Sequence, residues 1–395
     1  MDTSLKIEHL FDFPFRPSNM VFIDQNDILV LDREEGKVYR ILDYKMIQKP
    51  ILDVNVATIG YRGMLGIDTM TTKDDVTYVF LYYTEAVEKD GDDEIDGKSP
   101  LGNRLYRYQL EDGKLINPKL LLDLPVKPGP RHTGGEVAVG PDNNVYLTVG
   151  DLDGTFKKPF ETLAQNYNNV SALDGRSGIL RVTPDGKSVG NGILGSKYPL
   201  NVYFAYGIRN SFGMDWDPLT GHLWDTENGP HYGDEINLVD PGFNSGWVKV
   251  QGQWTPNFEN MGKTTHTPMG LVDFNGRGKY SEPEFMWIVP VAPTALKFFN
   301  SNKYGPQYKN DLFVADANTG RIYHFELNET RTGLHLPGML ADRVVYNMQE
   351  MKEITFAKGF GRITDMQLGP DGNLYVLSSG DKAAHIDRIV STNSH

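Results

Sequence analysis

Residues 136–151 read EVAVGPDNNVYLTVGD, and residues 363–381 read ITDMQLGPDGNLYVLSSGD. Each is an apolar strand, a turn opened by Pro and Asp, and a second strand of the LYV type. Pro presets the turn dihedral and Asp bonds its own backbone, while the alternating apolar residues on either side carry the period of a half-buried strand.

Working outward, the same unit recurs along the chain. It begins at Met20 as MVFIDQNDILVLDREEGKVYRI and at Met64 as MLGIDTMTTKDDVTYVFLYYT, closed by NRLYRYQL. The stretch from Glu136 is closed by SGILRVTPDG, and GMDWDPLTGHLWDTENG is closed by DEINLV. ALKFFNSNKYGPQYKNDLFVADANTGRIYHFEL and the stretch from Ile363, ending in KAAHIDRIV, complete the set. No unit of this size can cover both its apolar faces, so the units must pack on one another. The reading is an all-β fold, a six-bladed β-propeller of four-stranded antiparallel blades. It forms one domain over residues 1–395, with an acidic loop inserted at about 85–102.

Composition narrows function. The 395 residues carry 39 Lys+Arg against 52 Asp+Glu, a net charge of −13 with no Lys/Arg-rich run, so neither nucleic acid nor an anionic membrane surface is an expected partner. The absence of Cys excludes disulfides, zinc-thiolate and iron–sulfur sites, and thiol nucleophiles. No stretch approaches the roughly 18 apolar residues of a membrane span, so no membrane insertion is expected. MDTSLKIEHLFDFPFRPSNM shows no secretory signal, which fits a cytosolic protein or a mature or trimmed form. Within the acidic loop, EKDGDDEIDGK lacks the spacing of an EF-hand and reads as a solvated loop, with Ca²⁺ binding as the alternative.

Loops entering the innermost strands of a propeller crowd one mouth of its channel. This directs attention to Gly60–Gly63, Arg131–Glu136, Tyr206–Asn210, Val291–Thr294 and Gly361–Thr364. A lone His is more often structural than catalytic, but His132 stands at such an entry beside two Gly that let backbone approach a ligand.

The segments HTGGEVAVGPDNNVYLTVGD, YGIRNSFG and ENGPHYGDEINL followed by NSGW, in this order, resemble the soluble quinoprotein glucose/sorbosone dehydrogenases, or aldose sugar dehydrogenases. The resemblance runs from about the second unit to the last. It implies a pyrroloquinoline quinone (PQQ) across the channel mouth with a bound Ca²⁺, and oxidation of the C1 hydroxyl of an aldose to a lactone. His132 would be the base, and Arg209 would face the quinone with Asn210 adding a hydrogen bond. The carbonyls of Gly229 and Pro230 would hold the ion, on which Asp234 would orient a water. A second, structural Ca²⁺ is implied at Glu235 with the Ser245 carbonyl, the alternative being a turn-stabilising loop. Such enzymes act outside the cytoplasmic membrane, so the resemblance implies a periplasmic or extracellular place and an electron acceptor that the sequence does not identify.

Three positions depart from the family pattern. Tyr61-Arg62-Gly63-Met64-Leu65 stands where the family has QGGLL, Asn318 stands where it has Lys, and Thr364 replaces the second of two alternating Arg while Arg362 is kept. PQQ carries three carboxylates, and each charge-assisted partner is worth roughly 1.5–3 kcal/mol. Arg62 and Arg131, both at channel entries, are the candidates to replace the lost charge. The departures keep two alternatives open. One is a binding propeller without cofactor; the other is a metal-dependent lactonase-type hydrolase in which His132 shuttles a proton.

Overall fold

The computed structural model describes residues 4–88, 99–152, 165–166, 173–253, 270–380 and 384–392. Most of the acidic insertion at 85–102 lies outside the described residues. So does the question of an ion bound there.

The second strands of four blades, Asp27–Asp32, Val145–Val149, Leu223–Glu227 and Leu312–Asp316, are buried along their whole length. Each is covered on both faces by neighbouring blades, so the sequence there is a nearly continuous apolar run. The turn motif is one device used twice. Asp142 accepts from Asn144 Nδ2 at 2.8 Å and Tyr146 OH at 3.0 Å, and Asp371 accepts from Asn373 Nδ2 at 2.7 Å and Tyr375 OH at 3.2 Å.

Six sheets result, and their innermost strands are Pro17–Asp24, Met64–Thr71, Val137–Val139, Ser211–Trp216, Pro293–Phe298 and Ile363–Leu368. Each inner strand neighbours the next, and the last returns to the first around a central channel. The apolar core is divided among the seams. Phe80, Leu105, Leu147 and Leu180 pack between the second and third units, for example, and Trp224, Phe285, Leu312 and Phe325 between the fourth and fifth. The ring closes by pairing Leu5–Phe13 antiparallel with Ala384–Ser391, so the start of the described chain supplies the outer strand of the last blade.

The expectation of uniform four-stranded antiparallel blades is corrected. Five sheets have four or five strands each, and the remaining one has six. The extra strands include Phe243–Asn244, Lys279–Tyr280 and Val344–Val345, which join in parallel. They come from long connections that fold back over blade edges and pair the otherwise open backbone there. Two-residue pairings leave no periodic trace in the sequence.

The channel is polar in an alternating pattern. On every second inner strand an Asp accepts a backbone N–H from the next blade: Val139 to Asp68 at 2.6 Å, Phe298 to Asp215 at 2.8 Å, and Met20 to Asp365 at 2.9 Å. The other three blades contribute Asn19, Glu136 and Lys297. Asn19 Nδ2 donates to Glu136 at 3.3 Å, and Lys297 Nζ lies 4.0 Å from the same carboxylate.

Candidate active site

The five entry loops singled out in the sequence converge. Tyr61, Arg131, His132, Arg209, Ala292 and Arg362 all line one cavity of about 590 Å³ at the channel mouth, with Glu136 and Asn19 also in its lining.

His132 is 8% exposed and has φ of 51°, a left-handed conformation that the flanking loop must hold in place. Gly150 makes this packing possible, because a Cβ there would lie 2.2 Å from the His132 carbonyl oxygen and 2.7 Å from that of Arg209. His132 Nδ1 is 2.7 Å from Asp151 Oδ1, and Nε2 is 2.9 Å from Arg209 Nη2. A guanidinium can only donate, so Nε2 accepts and Nδ1 carries the proton toward Asp151. Asp151 is fully buried and also accepts from the Trp247 indole N–H at 2.6 Å. Burial pushes its carboxyl up, but the His132 ring, Arg209 and Trp247 together hold it below the ordinary carboxylate range.

Arg209 donates through Nη1 to the carbonyls of Asn228 at 2.7 Å and Gly229 at 2.9 Å, and its guanidinium lies 5.4 Å from the centre of the Trp247 ring. Asn210 lines the cavity and accepts from Gly134 N at 3.2 Å. Pro230 and Asp234 line it as well. Asp234, however, is spent on the loop: one oxygen accepts from Gly229 N at 2.8 Å, the other from Val291 N and Ala292 N, both at 2.7 Å. It fixes the carbonyl-bearing turn, and burial lifts its carboxyl to about 6.

Glu235 and Ser245 lie outside the cavity lining, in a buried cluster with Asp225, Glu227, Asn237 and Gln251. Ser245 Oγ donates to Glu227 at 2.6 Å, Gln251 Nε2 donates to Glu235 at 2.9 Å, and Arg209 N donates to Glu227 at 2.8 Å. Burial raises Glu235 to about 8 and Asp225 to about 7, and burial with the neighbouring Glu235 lifts Glu227 well above the ordinary carboxylate range. Asp225 Oδ2, Asn237 Oδ1 and Gln251 Oε1 are buried without a hydrogen-bond partner. Unpartnered buried oxygens are the type of group that a hard cation takes as ligands. Among the described residues no three His, Asp or Glu side chains form a metal cluster by themselves, so an ion here would draw on amide and carbonyl oxygens too.

The remaining sequence candidates divide. Asn318 lines the cavity and donates to the Pro290 carbonyl at 3.1 Å; Thr364 and Arg131 also line it. Arg62 does not. It is 1% exposed, and Nη2 donates to the Val126 carbonyl at 2.6 Å, so it braces the interior instead of adding charge to the cavity. Sequence reading missed Arg16, Asn19 and Arg33, which the first blade brings to the cavity, and Asp151. Arg16 and Asn19 stand immediately ahead of Met20, so the entry-loop rule applied to the first unit would have found them. Five arginines thus line the cavity: Arg16, Arg33, Arg131, Arg209 and Arg362. In a chain of net charge −13 they make a local positive field suited to a polyanionic ligand such as a tricarboxylate.

The Glucose / Sorbosone dehydrogenase family model matches residues 15–387. Among relatives, the chain is 24% identical to the aldose sugar dehydrogenase YliI of Escherichia coli, over 96% of this chain and 92% of that protein. It is also 24% identical to quinoprotein glucose dehydrogenase B of Acinetobacter calcoaceticus, over 94% of this chain and 84% of that protein. In fold it is similar to the PQQ-bound aldose sugar dehydrogenase of Streptomyces coelicolor, with a TM-score of 0.70, 21% identity and 98% of each chain covered.

Proposed function

Since this chain belongs to the glucose/sorbosone dehydrogenase family, we propose that it is a quinoprotein that oxidises the C1 hydroxyl of an aldose to the lactone. The observation that carries this reading is the Asp151–His132–Arg209 chain at the wall of an arginine-lined cavity. PQQ bound in that cavity, with Ca²⁺, would supply the two-electron acceptor and the polarisation of its carbonyl.

The chain's own residues do the rest. His132 Nε2 takes the C1 hydroxyl proton, and Asp151, held ionised, fixes the tautomer and stabilises the imidazolium that forms. Arg209 engages the Nε2 lone pair in this structure and would have to release it to face the cofactor. The three carboxylates of PQQ fit a cavity lined by five arginines. Gly229 and Pro230 carbonyls would hold the ion; the bond from Arg209 uses one of the two lone pairs on Gly229 O. Glu235, with the Ser245 carbonyl and the unpartnered amide oxygens of Asn237 and Gln251, would hold the structural Ca²⁺.

The domain would span residues 1–395, and the place of action would be periplasmic or extracellular. Among the described residues no helix is long and apolar enough to cross a membrane. Reconstitution of metal-free protein with PQQ and Ca²⁺, then dye reduction over a panel of aldoses, tests the reading. Dye reduction that needs sugar, PQQ and Ca²⁺ together supports it; no PQQ-dependent reduction with any aldose overturns it.

A further inference from the structure

Among the described residues two carboxylates line the cavity, Asp234 and Glu136. Asp234 is spent on three backbone N–H groups, which leaves Glu136. It is 6% exposed, and its backbone is pinned: N donates to Thr148 Oγ1 and O accepts from Thr148 N, both at 3.0 Å. Its carboxylate meets Asn19 Nδ2 at 3.3 Å and Lys297 Nζ at 4.0 Å. The second distance is too long for a direct hydrogen bond, and one bridging water spans it. Asn19 Oδ1, buried in the same lining, has no hydrogen-bond partner and calls for a donor from outside the chain.

Glu136 also stands between two layers. Thr294 and Thr364 line the cavity, whereas Lys297 and Asp365, further along the same inner strands, do not. Asp68 and Asp215 likewise lie beyond the lining on their own strands. These two and Lys297 are only half-buried, so water reaches the deeper layer. Burial lifts the Glu136 carboxyl well above its ordinary range; Lys297 and Asn19 work against this, while Asp365 and Asp68 add to it. Such a carboxyl takes up a proton near neutral pH and can give it up again.

The proposed oxidation breaks the C1–H and O–H bonds of the aldose and makes its C1=O double bond. Two electrons pass to the acceptor, and two protons must leave for solvent. His132 Nε2 takes the first, and a sugar seated in the mouth blocks the direct way out.

We propose that Glu136 is the proton-transfer residue of the cavity floor, accepting protons from the site through water and passing them to the water of the Lys297 layer. The inference rests on the proposed function.

The test compares wild type, Glu136→Gln and Glu136→Asp, each with PQQ, Ca²⁺, an aldose and a dye, in H₂O and in D₂O. E136Q should lower kcat about tenfold to a hundredfold with KM unchanged, and should enlarge the solvent isotope effect. E136D, or acetate added to E136Q, should restore part of the loss. Infrared difference spectra of the full chain without cofactor or sugar give a second readout. They should show a carboxyl band that titrates between about pH 5 and pH 9, shifts in D₂O and is missing from E136Q. If E136Q does not fold, E136D must move the pH profile of kcat to lower pH, since Asp is the stronger acid, and an unmoved profile overturns the inference. A loss of kcat that neither E136D nor acetate restores overturns it too, as does a Glu136 band that does not titrate. Wild type that oxidises no aldose overturns the proposed function and this inference together. An active wild type matched by E136Q in kcat and isotope effect overturns the inference alone.

Discussion

His132 Nδ1 and Asp151 Oδ1 lie 2.7 Å apart in a buried contact that sets which ring nitrogen is free to take a proton. Replacing His132 by Gln should lower turnover by roughly 10² to 10⁴ and leave PQQ affinity nearly unchanged, since the imidazole meets the substrate hydroxyl. Asp151→Asn should lower turnover by a similar order with little change in KM, because the amide no longer favours the Nδ1–H tautomer or the imidazolium. Steady-state kinetics beside PQQ titration checks both. Near wild-type sugar oxidation by H132Q would remove His132 from the mechanism.

The cluster around Glu235 predicts a stabilising cation. Chelation should lower Tm and Ca²⁺ should restore it, with about 2.7 kcal/mol of stabilisation at a hundredfold excess over Kd. Glu235→Gln should fold and lose most of this response. Melting curves that coincide in chelator and in Ca²⁺ would exclude the site.

Lys297 is the cation among the channel groups Asp68, Glu136, Asp215 and Asp365. Burial lowers the Lys297 pKa, yet these four carboxylates outweigh it and raise the ammonium above its ordinary range. Burial lifts Asp68 to about 6, and also raises Glu136, Asp215 and Asp365. A carboxyl whose pKa is higher in the folded state binds more protons there. Its contribution is therefore fully present below the unfolded pKa near ~4 and is lost as pH rises through ~6. Lys297→Met removes the balancing charge and lifts the four pKa values further. It should cost about 3–5 kcal/mol near pH 8 and clearly less near pH 5, measured by denaturant unfolding at the two pH values. An equal loss at both would show that Lys297 does not balance these groups.

Closure predicts global and not local damage from the terminus. Removing residues 4–13 exposes the whole edge of Ala384–Ser391 and opens the seam where Phe13, Met20 and Tyr375 pack. The ring should melt many degrees lower in one transition. Fraying confined to the last blade, with amide exchange elsewhere unchanged, would contradict this.

The blade repeat was legible because its signals are local. GPDNNVY and GPDGNLY fix their turns through side chains within six residues, and the apolar runs between turns announce strands covered on both faces. Position at a channel entry is likewise a sequence property, so His132, Arg209, Asn210 and Arg362 could be named before their surroundings were known. Which way a loop side chain turns depends on contacts from other blades. Arg62 and Arg33 illustrate this: the Val126 carbonyl draws Arg62 inward, while the Gly60 and Arg62 carbonyls hold Arg33 at the cavity wall.

The sequence alone determined an all-β repeat packed blade on blade, because strand period and turn chemistry act over a few residues. The tertiary structure alone decided the parallel strands added at the blade edges, the alternating Asp staples of the channel, and the share of charge the first blade brings to the cavity. Those features join residues more than 30 positions apart, as Met20 to Asp365 and Val139 to Asp68 do. Their energy comes from burial and hydrogen bonds that exist only once the ring has closed.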